Sequence, residues 1–147
     1  MAKRQLEKGK KLLRKIEFFK PFDDDEIEEL LDISLVKKYG LNDVIIREDK
    51  DGYTFYVILS GAAKVVKEIS PGKKVALAIF SEGDCFGEMA VLLQERRAAT
   101  VLAGVNCYVF EIEGSHIDTL SQPIQIKLYR QFAVTLAHRL KLSAMKS

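Results

Sequence analysis

The residues of this chain best suited to chemistry lie in one stretch, Gly83-Asp84-Cys85-Phe86-Gly87-Glu88-Met89-Ala90-Val91, followed shortly by Arg96-Arg97-Ala98-Ala99-Thr100-Val101. A glycine at 87 lets the backbone enter a tight turn, and a short helix begun there presents unpaired N–H groups at Met89 and Ala90. Donors of that kind attract anions. Arg97 closes the returning loop with a planar guanidinium fork that matches two oxygens of a phosphate. The small side chains of Ala98 and Ala99 let their own N–H groups approach a ligand closely. Glu88, beside such an anion, would be repelled by the phosphate and makes sense only as an acceptor from neutral donors such as sugar hydroxyls. A phosphate carrying a ribose satisfies both charges. The competing reading is a structural ion pair between Glu88 and Arg97 in a domain that binds nothing, and a buried pair is in itself weak evidence for stability.

The rest of the composition narrows the field. A chain of 147 residues with 48% apolar and 30% charged residues is an ordinary globular protein with room for one well-packed domain. Its longest apolar runs, Val75 to Phe80 and Met89 to Leu93, fall far short of the roughly 20 residues that cross a bilayer, so no membrane span is expected. The lysines near the amino terminus are not followed by an apolar secretory segment, which predicts a cytoplasmic protein. Cys85 and Cys107 are too few for a disulfide scaffold and too far apart for a metal or redox pair, and are expected as reduced core thiols. His116 and His138 belong to no metal-ligand spacing. No nucleophile elbow, zinc-protease motif or P-loop is present, so neither an enzyme nor a metal or cofactor site is expected.

Charge is distributed in blocks. Up to Lys20 there are eight Lys or Arg against two Glu, and from Asp23 to Asp32 seven acidic residues stand without a base. Asp23 as N-cap with Glu26 three residues on forms a capping box, and Phe22 and Ile27 are placed as a hydrophobic staple, so the acidic run is explained as the charged start of a helix rather than as a metal cluster. After Asp118 only bases occur, at Lys127, Arg130, Arg139, Lys141 and Lys146. Without interleaved aromatics or a reading helix, this basic tail is expected as solvated helix face, with no nucleic acid bound through this chain.

The elements that must position the central stretch follow from periodicity. An N-terminal helical segment is expected over residues 1–39, with one helix from Lys3 to Phe19 interrupted near Gly9 and a second opened by Asp23. From 40 to 113 short β-branched runs alternate with turns: Val44 to Ile46, Thr54 to Leu59, Ala63 to Ile69, Val75 to Phe80, Ala99 to Ala103 and Cys107 to Ile112. Pro71-Gly72 marks a hairpin. Gly87 to Leu93 interrupts this antiparallel pattern with a helical turn. Over 114–147 helix returns, with Pro123 in a first-turn position and Ile124, Leu128, Phe132, Leu136 and Leu140 proposed as one apolar stripe.

The stretch from Phe86 to Val101 resembles the phosphate-binding cassette of cyclic nucleotide-binding domains, found in protein kinase A regulatory subunits, the catabolite activator protein and cyclic-nucleotide-gated channels. Phe55-Tyr56-Val57-Ile58-Leu59-Ser60-Gly61 resembles that family's strand ending in glycine, and Gly83-Asp84 its turn before the cassette, which spans 83–101 here. The resemblance implies a mainly β fold with flanking helices: an antiparallel β-roll of the double-stranded β-helix or jelly-roll type, with N-terminal helices and a long C-terminal helix. It implies that Arg97 binds the exocyclic phosphate oxygens and Glu88 the ribose 2′-hydroxyl. Gly87, Met89 and the amides near Ala90, Ala98 and Ala99 would complete the cradle. In the family a threonine directly after the arginine favours cyclic GMP, and Ala98 stands there, so the resemblance leans to cyclic AMP over cyclic GMP. The corresponding last helix of relatives covers the base and often forms a dimer, which makes Tyr129, Arg130 and Phe132 the candidates for a base cap. A homodimer through that helix, and an effector protein or output domain outside this chain, are the implied partners. Two positions depart from the family pattern. Arg96 replaces a proline before the arginine, and Asp49 replaces the first of two loop glycines, the second being Gly52.

Overall fold

A computed structural model describes residues 3–145, so Lys146 of the basic tail lies outside the described residues. The capping box forms as the sequence dictates: Glu26 N–H donates to Asp23 Oδ1 and Asp23 N–H to Glu26 Oε1, each at 2.9 Å, opening helix α2 (Asp24–Asp32). Before it, α1 (Lys3–Arg14) runs straight through Gly9, whose missing Cβ admits the Leu31 methyls of α2. A separate 3-10 turn, Glu17–Phe19, follows. The single helix expected from Lys3 to Phe19 is therefore two pieces.

Among the described residues eight strands make the roll: β1 (Leu35–Tyr39), β2 (Val44–Ile46), β3 (Thr54–Ser60), β4 (Ala62–Ser70), β5 (Lys73–Ser81), β6 (Cys85–Phe86), β7 (Thr100–Ala103) and β8 (Cys107–Glu113). They form two four-stranded antiparallel sheets, ordered β1-β8-β3-β6 and β2-β7-β4-β5. Helix α3 (Glu88–Leu93) sits between β6 and β7, and α4 (Gly114–Ile117) and α5 (Gln122–Met145) follow β8. The boundary expected at residue 40 moves back, because Leu35–Tyr39 pairs with β8 and belongs to the roll. Its Lys37-Lys38 pair hides the alternation that marks the other strands.

Alternation along β3 and β8 divides the interior. Phe55, Val57 and Leu59 point one way with Phe110 and Ile112, into a core shared with Phe19, Ile27, Leu30, Ile124, Leu128 and Phe132 of the helices. Tyr56, Ile58, Cys107 and Val109 point the other way, into the roll, with Phe86 and Val101. Phe132 lies edge-on to Phe55 at 4.8 Å and fixes the first half of α5. The proposed stripe does not persist beyond it. A four-residue step advances about 400°, some 40° past a full turn, so Leu136 is only half-buried and Leu140 is 73% exposed. Nor is the basic tail wholly solvated: Lys127 bonds Glu26 of α2, and Arg139 turns into the roll. Cys85 and Cys107 are free and buried, as expected of core thiols.

Candidate functional site

The site is built on a turn that only glycine suits. Gly87 adopts φ +83° at the start of α3, and a Cβ there would lie 2.8 Å from the Thr54 carbonyl oxygen and 3.0 Å from the Tyr56 ring. As the N-cap it has no side chain to bond the first-turn amides. Arg97, 7% exposed, returns beneath this turn and donates from Nη1 to Gly87 O at 3.0 Å and from Nη2 to Thr54 O at 2.8 Å. Two of its five N–H donors are thus used to hold the guanidinium. Its centre stands 5.9 Å over the Tyr56 ring. Burial pushes its pKa down, opposed by Tyr56 and Glu88.

The loop after β2 fixes the backbone of Arg97. Arg97 N–H donates to Lys50 O at 3.0 Å, and Asp49 N–H to Arg97 O at 2.9 Å. Asp49 takes φ +65°, the left-handed conformation a glycine would adopt, which aspartate tolerates better than most residues. Gly52 keeps this loop close, since a Cβ there would meet Arg97 Nε at 3.3 Å. Arg96 faces outward to Asp51 at 3.8 Å with both side chains about three-quarters exposed, a contact of little energetic weight.

Glu88 is 1% exposed, and burial pushes its carboxyl above the usual range, against the opposing charges of Arg139 and, further off, Arg97. Its direct partner is not Arg97. Arg139 of α5 donates from Nη1 to Glu88 Oε1 at 2.5 Å and from Nη2 to the Cys85 carbonyl, with its guanidinium 4.8 Å over the Phe80 ring. The structural pair considered between Glu88 and Arg97 is absent among the described residues, each being held by other groups.

Between these charges lies a cavity of about 230 Å³. Gly87, Glu88, Met89, Ala90, Arg97, Ala98 and Ala99 all border it, so the sequence-predicted cradle residues are brought together around one cavity. Ile46, Val65, Phe86 and Val101 floor it with apolar surface. The three base-cap candidates are not there. Phe132 is fully buried in the helical core against Phe18 and Phe55, Tyr129 packs edge-on to Phe132 at 6.0 Å, and Arg130 is exposed away from the cavity lining. The residue that α5 does contribute is Arg139. A signal for it existed: Arg139 follows Phe132 by seven residues, about two turns, and so lies on the buried face of the helix where a charge needs a partner. Among the described residues no three His, Cys, Asp or Glu side chains converge on a metal position, and no helix is long and apolar enough to cross a membrane.

This architecture is shared with known proteins. A cyclic nucleotide-binding domain from Methylobacillus flagellatus superposes with a TM-score of 0.83 over 97% of this chain and 82% of that one, at 19% identity. The regulatory domain of Toxoplasma gondii protein kinase A, crystallised with cAMP, gives 0.75 over 90% of this chain and 51% of that one, at 25% identity. Human cGMP-dependent protein kinase 2 is 29% identical over 111 residues, 73% of this chain and 15% of the kinase. The chain thus spans a small fraction of the curated kinase it matches. Residues 36–122 match the family model described as cyclic nucleotide-binding domain, a range that opens in β1 and includes Gly87, Glu88 and Arg97. With the roll, the interrupting helix and the glycine turn all in the family's order, the chain belongs to the cyclic nucleotide-binding domain family.

Proposed function

We propose that this domain is a regulatory sensor that binds a cyclic nucleotide, cyclic AMP in preference to cyclic GMP, and transmits occupancy through α5. The observation that carries this reading is that a buried arginine and a buried glutamate both line one cavity. Arg97, clamped by two carbonyls, offers its remaining N–H donors to the exocyclic phosphate oxygens. Glu88 accepts from the ribose 2′-hydroxyl, and the amides near Ala90, Ala98 and Ala99 complete the anion cradle. Ala98 provides no hydroxyl for guanine, which favours adenine, while the cGMP-dependent kinase relative makes cyclic GMP the necessary second arm of any test. The domain itself is non-catalytic, and its output is an effector protein or a domain outside this chain, as in the kinase relatives. The exposed Ile126, Val134 and Leu140 of α5 suit pairing with a second copy, which a sedimentation-equilibrium mass would test.

A thermal melt with and without each nucleotide tests the function. Ligand at a thousandfold over its Kd adds about 4 kcal/mol, on the order of 10 °C for a domain of this size. Arg97→Ala should remove about half of the shift or more. A second reading, an assembly module that keeps the fold and binds nothing, is favoured by one observation: Arg97 and Glu88 both have protein partners already. Unchanged melts with millimolar cyclic AMP and cyclic GMP would establish that reading instead.

A further inference from the structure

The roll contains a second cavity, of about 280 Å³, that shares no lining residue with the one bordered by Arg97 and Glu88. Its size lies just below that of typical small-molecule sites, about 300 Å³ and upward. Strand alternation builds it. Glu111 and Glu113 fall on the face of β8 that carries Cys107 and Val109, and the register with β1 brings Lys37 and Tyr39 to the same face. Glu111 is buried, and its two carboxylate oxygens are treated unequally. Oε2 accepts from the Tyr39 hydroxyl at 2.7 Å. Oε1 has the Lys37 ammonium at 3.8 Å, beyond hydrogen-bond reach, on a side chain that is 53% exposed.

This leaves the cavity short of positive charge. Two carboxylates line it against one loosely held ammonium, and His116 of α4 stands 4.0 Å from Glu113, both side chains being half exposed or more. Burial pushes the Glu111 carboxyl above the usual range, more than Tyr39 and Lys37 draw it down. A buried charge held at a cost to folding is characteristic of functional sites. Among the described residues no three His, Cys, Asp or Glu side chains converge on a metal position, so the cation that fits is an organic one. Ile33, Leu35 and Ile45 add apolar surface to the same cavity. We infer that this cavity is a second binding site, for a small primary amine in its ammonium form, whose N–H groups donate to Glu111 Oε1 while its hydrocarbon lies on Ile33, Leu35 and Ile45. Lys37 is the internal stand-in for that ligand. An untethered ammonium closes the 3.8 Å gap that Lys37 leaves, and Lys37 moves out to solvent.

Amide NMR titration of the full chain with n-butylamine tests the site, at constant ionic strength and about pH 7.5, where the amine is charged. Saturable shifts are expected at amides of β1, β8 and α4, with a Kd of about 1 to 10 mM for so small a probe. The uncharged counterpart n-butanol should bind about tenfold more weakly or worse. Glu111→Gln should weaken the amine about 10- to 100-fold. That variant removes a buried charge and keeps an acceptor for Tyr39, so it is expected to fold, and its unperturbed amide spectrum checks this. Lys37→Met, which vacates Oε1 from an exposed position, should tighten the amine several-fold. Shifts that do not saturate, n-butanol binding as well as the amine, or Glu111→Gln binding it as well as wild type would each overturn the site. None of these readings depends on whether a cyclic nucleotide occupies the other cavity.

Discussion

The two faces of strands β3 and β8 do different work with the same backbone. One face, Phe55, Val57, Leu59, Phe110 and Ile112, is wholly apolar and is sealed by the helices. The other, inside the roll, carries Tyr56, Ile58, Cys107 and Val109, and the roll holds two buried carboxylates, each at a separate cavity. On one side are Glu88 and Arg97; on the other Glu111, 7% exposed, accepts from the Tyr39 hydroxyl at 2.7 Å with Lys37 at 3.8 Å. The sealed face supplies the stability that lets the roll interior keep charges and a cavity. A core closed on both faces would be more stable and would have nowhere to hold a ligand.

If this division holds, variants on the two faces should fail differently. Phe132→Ala, in the sealed core, should lower unfolding free energy by about 3–5 kcal/mol in urea titrations while leaving the nucleotide affinity of the folded fraction nearly unchanged. Arg97→Ala should do the reverse in emphasis, with a loss of about 2–5 kcal/mol of binding, some 30-fold to several thousand-fold in Kd by calorimetry. Gly87→Ala joins the two faces: holding alanine at φ +83° against the Thr54 carbonyl should cost about 1–3 kcal/mol of stability and disturb Arg97 as well. The smallest effect is expected at Glu111. Burial raises its pKa in the folded state, outweighing the Tyr39 hydrogen bond and Lys37, so the ionised form disfavours folding. Its contribution is most favourable below the unfolded value, about 4.3, and is lost as pH rises through the raised folded value. Glu111→Gln, which keeps an acceptor for Tyr39 and does not titrate, should melt a few degrees higher than wild type at pH 7, a gap that closes toward pH 4. A gap that widened on acidification would contradict the burial argument.

What the sequence discloses is what neighbours in the chain decide. The Asp23–Glu26 capping box, the Pro71-Gly72 hairpin and the glycine turn before α3 are each closed within a few residues, and each forms where its local chemistry places it. Strand β1 escaped because an edge strand bearing Lys37 and Lys38 has no strict alternation to read. Its identity comes from pairing with β8, about 70 residues away. The base-cap candidates lie away from the cavity for a related reason. Helical spacing groups Phe132 with Ile124 and Leu128 on an apolar face but does not say whether that face meets a ligand or a core, and Phe18 and Phe55 decide for the core. Arg139 was legible only as an anomaly, a charge in register with buried residues, whose partner 51 positions upstream no local rule could name.

The burial of Phe132 gives α5 the mechanics of a lever. Upstream of this ring the helix is clamped to the N-terminal helices, with Gln131 donating to the Phe18 carbonyl at 2.9 Å and Lys127 bonded to Glu26. Arg139 lies about 10 Å beyond that fulcrum and Met145 about 20 Å beyond it, at 1.5 Å of rise per residue. A sideways displacement of the helix at Arg139 is therefore roughly doubled by the time it reaches the helix end.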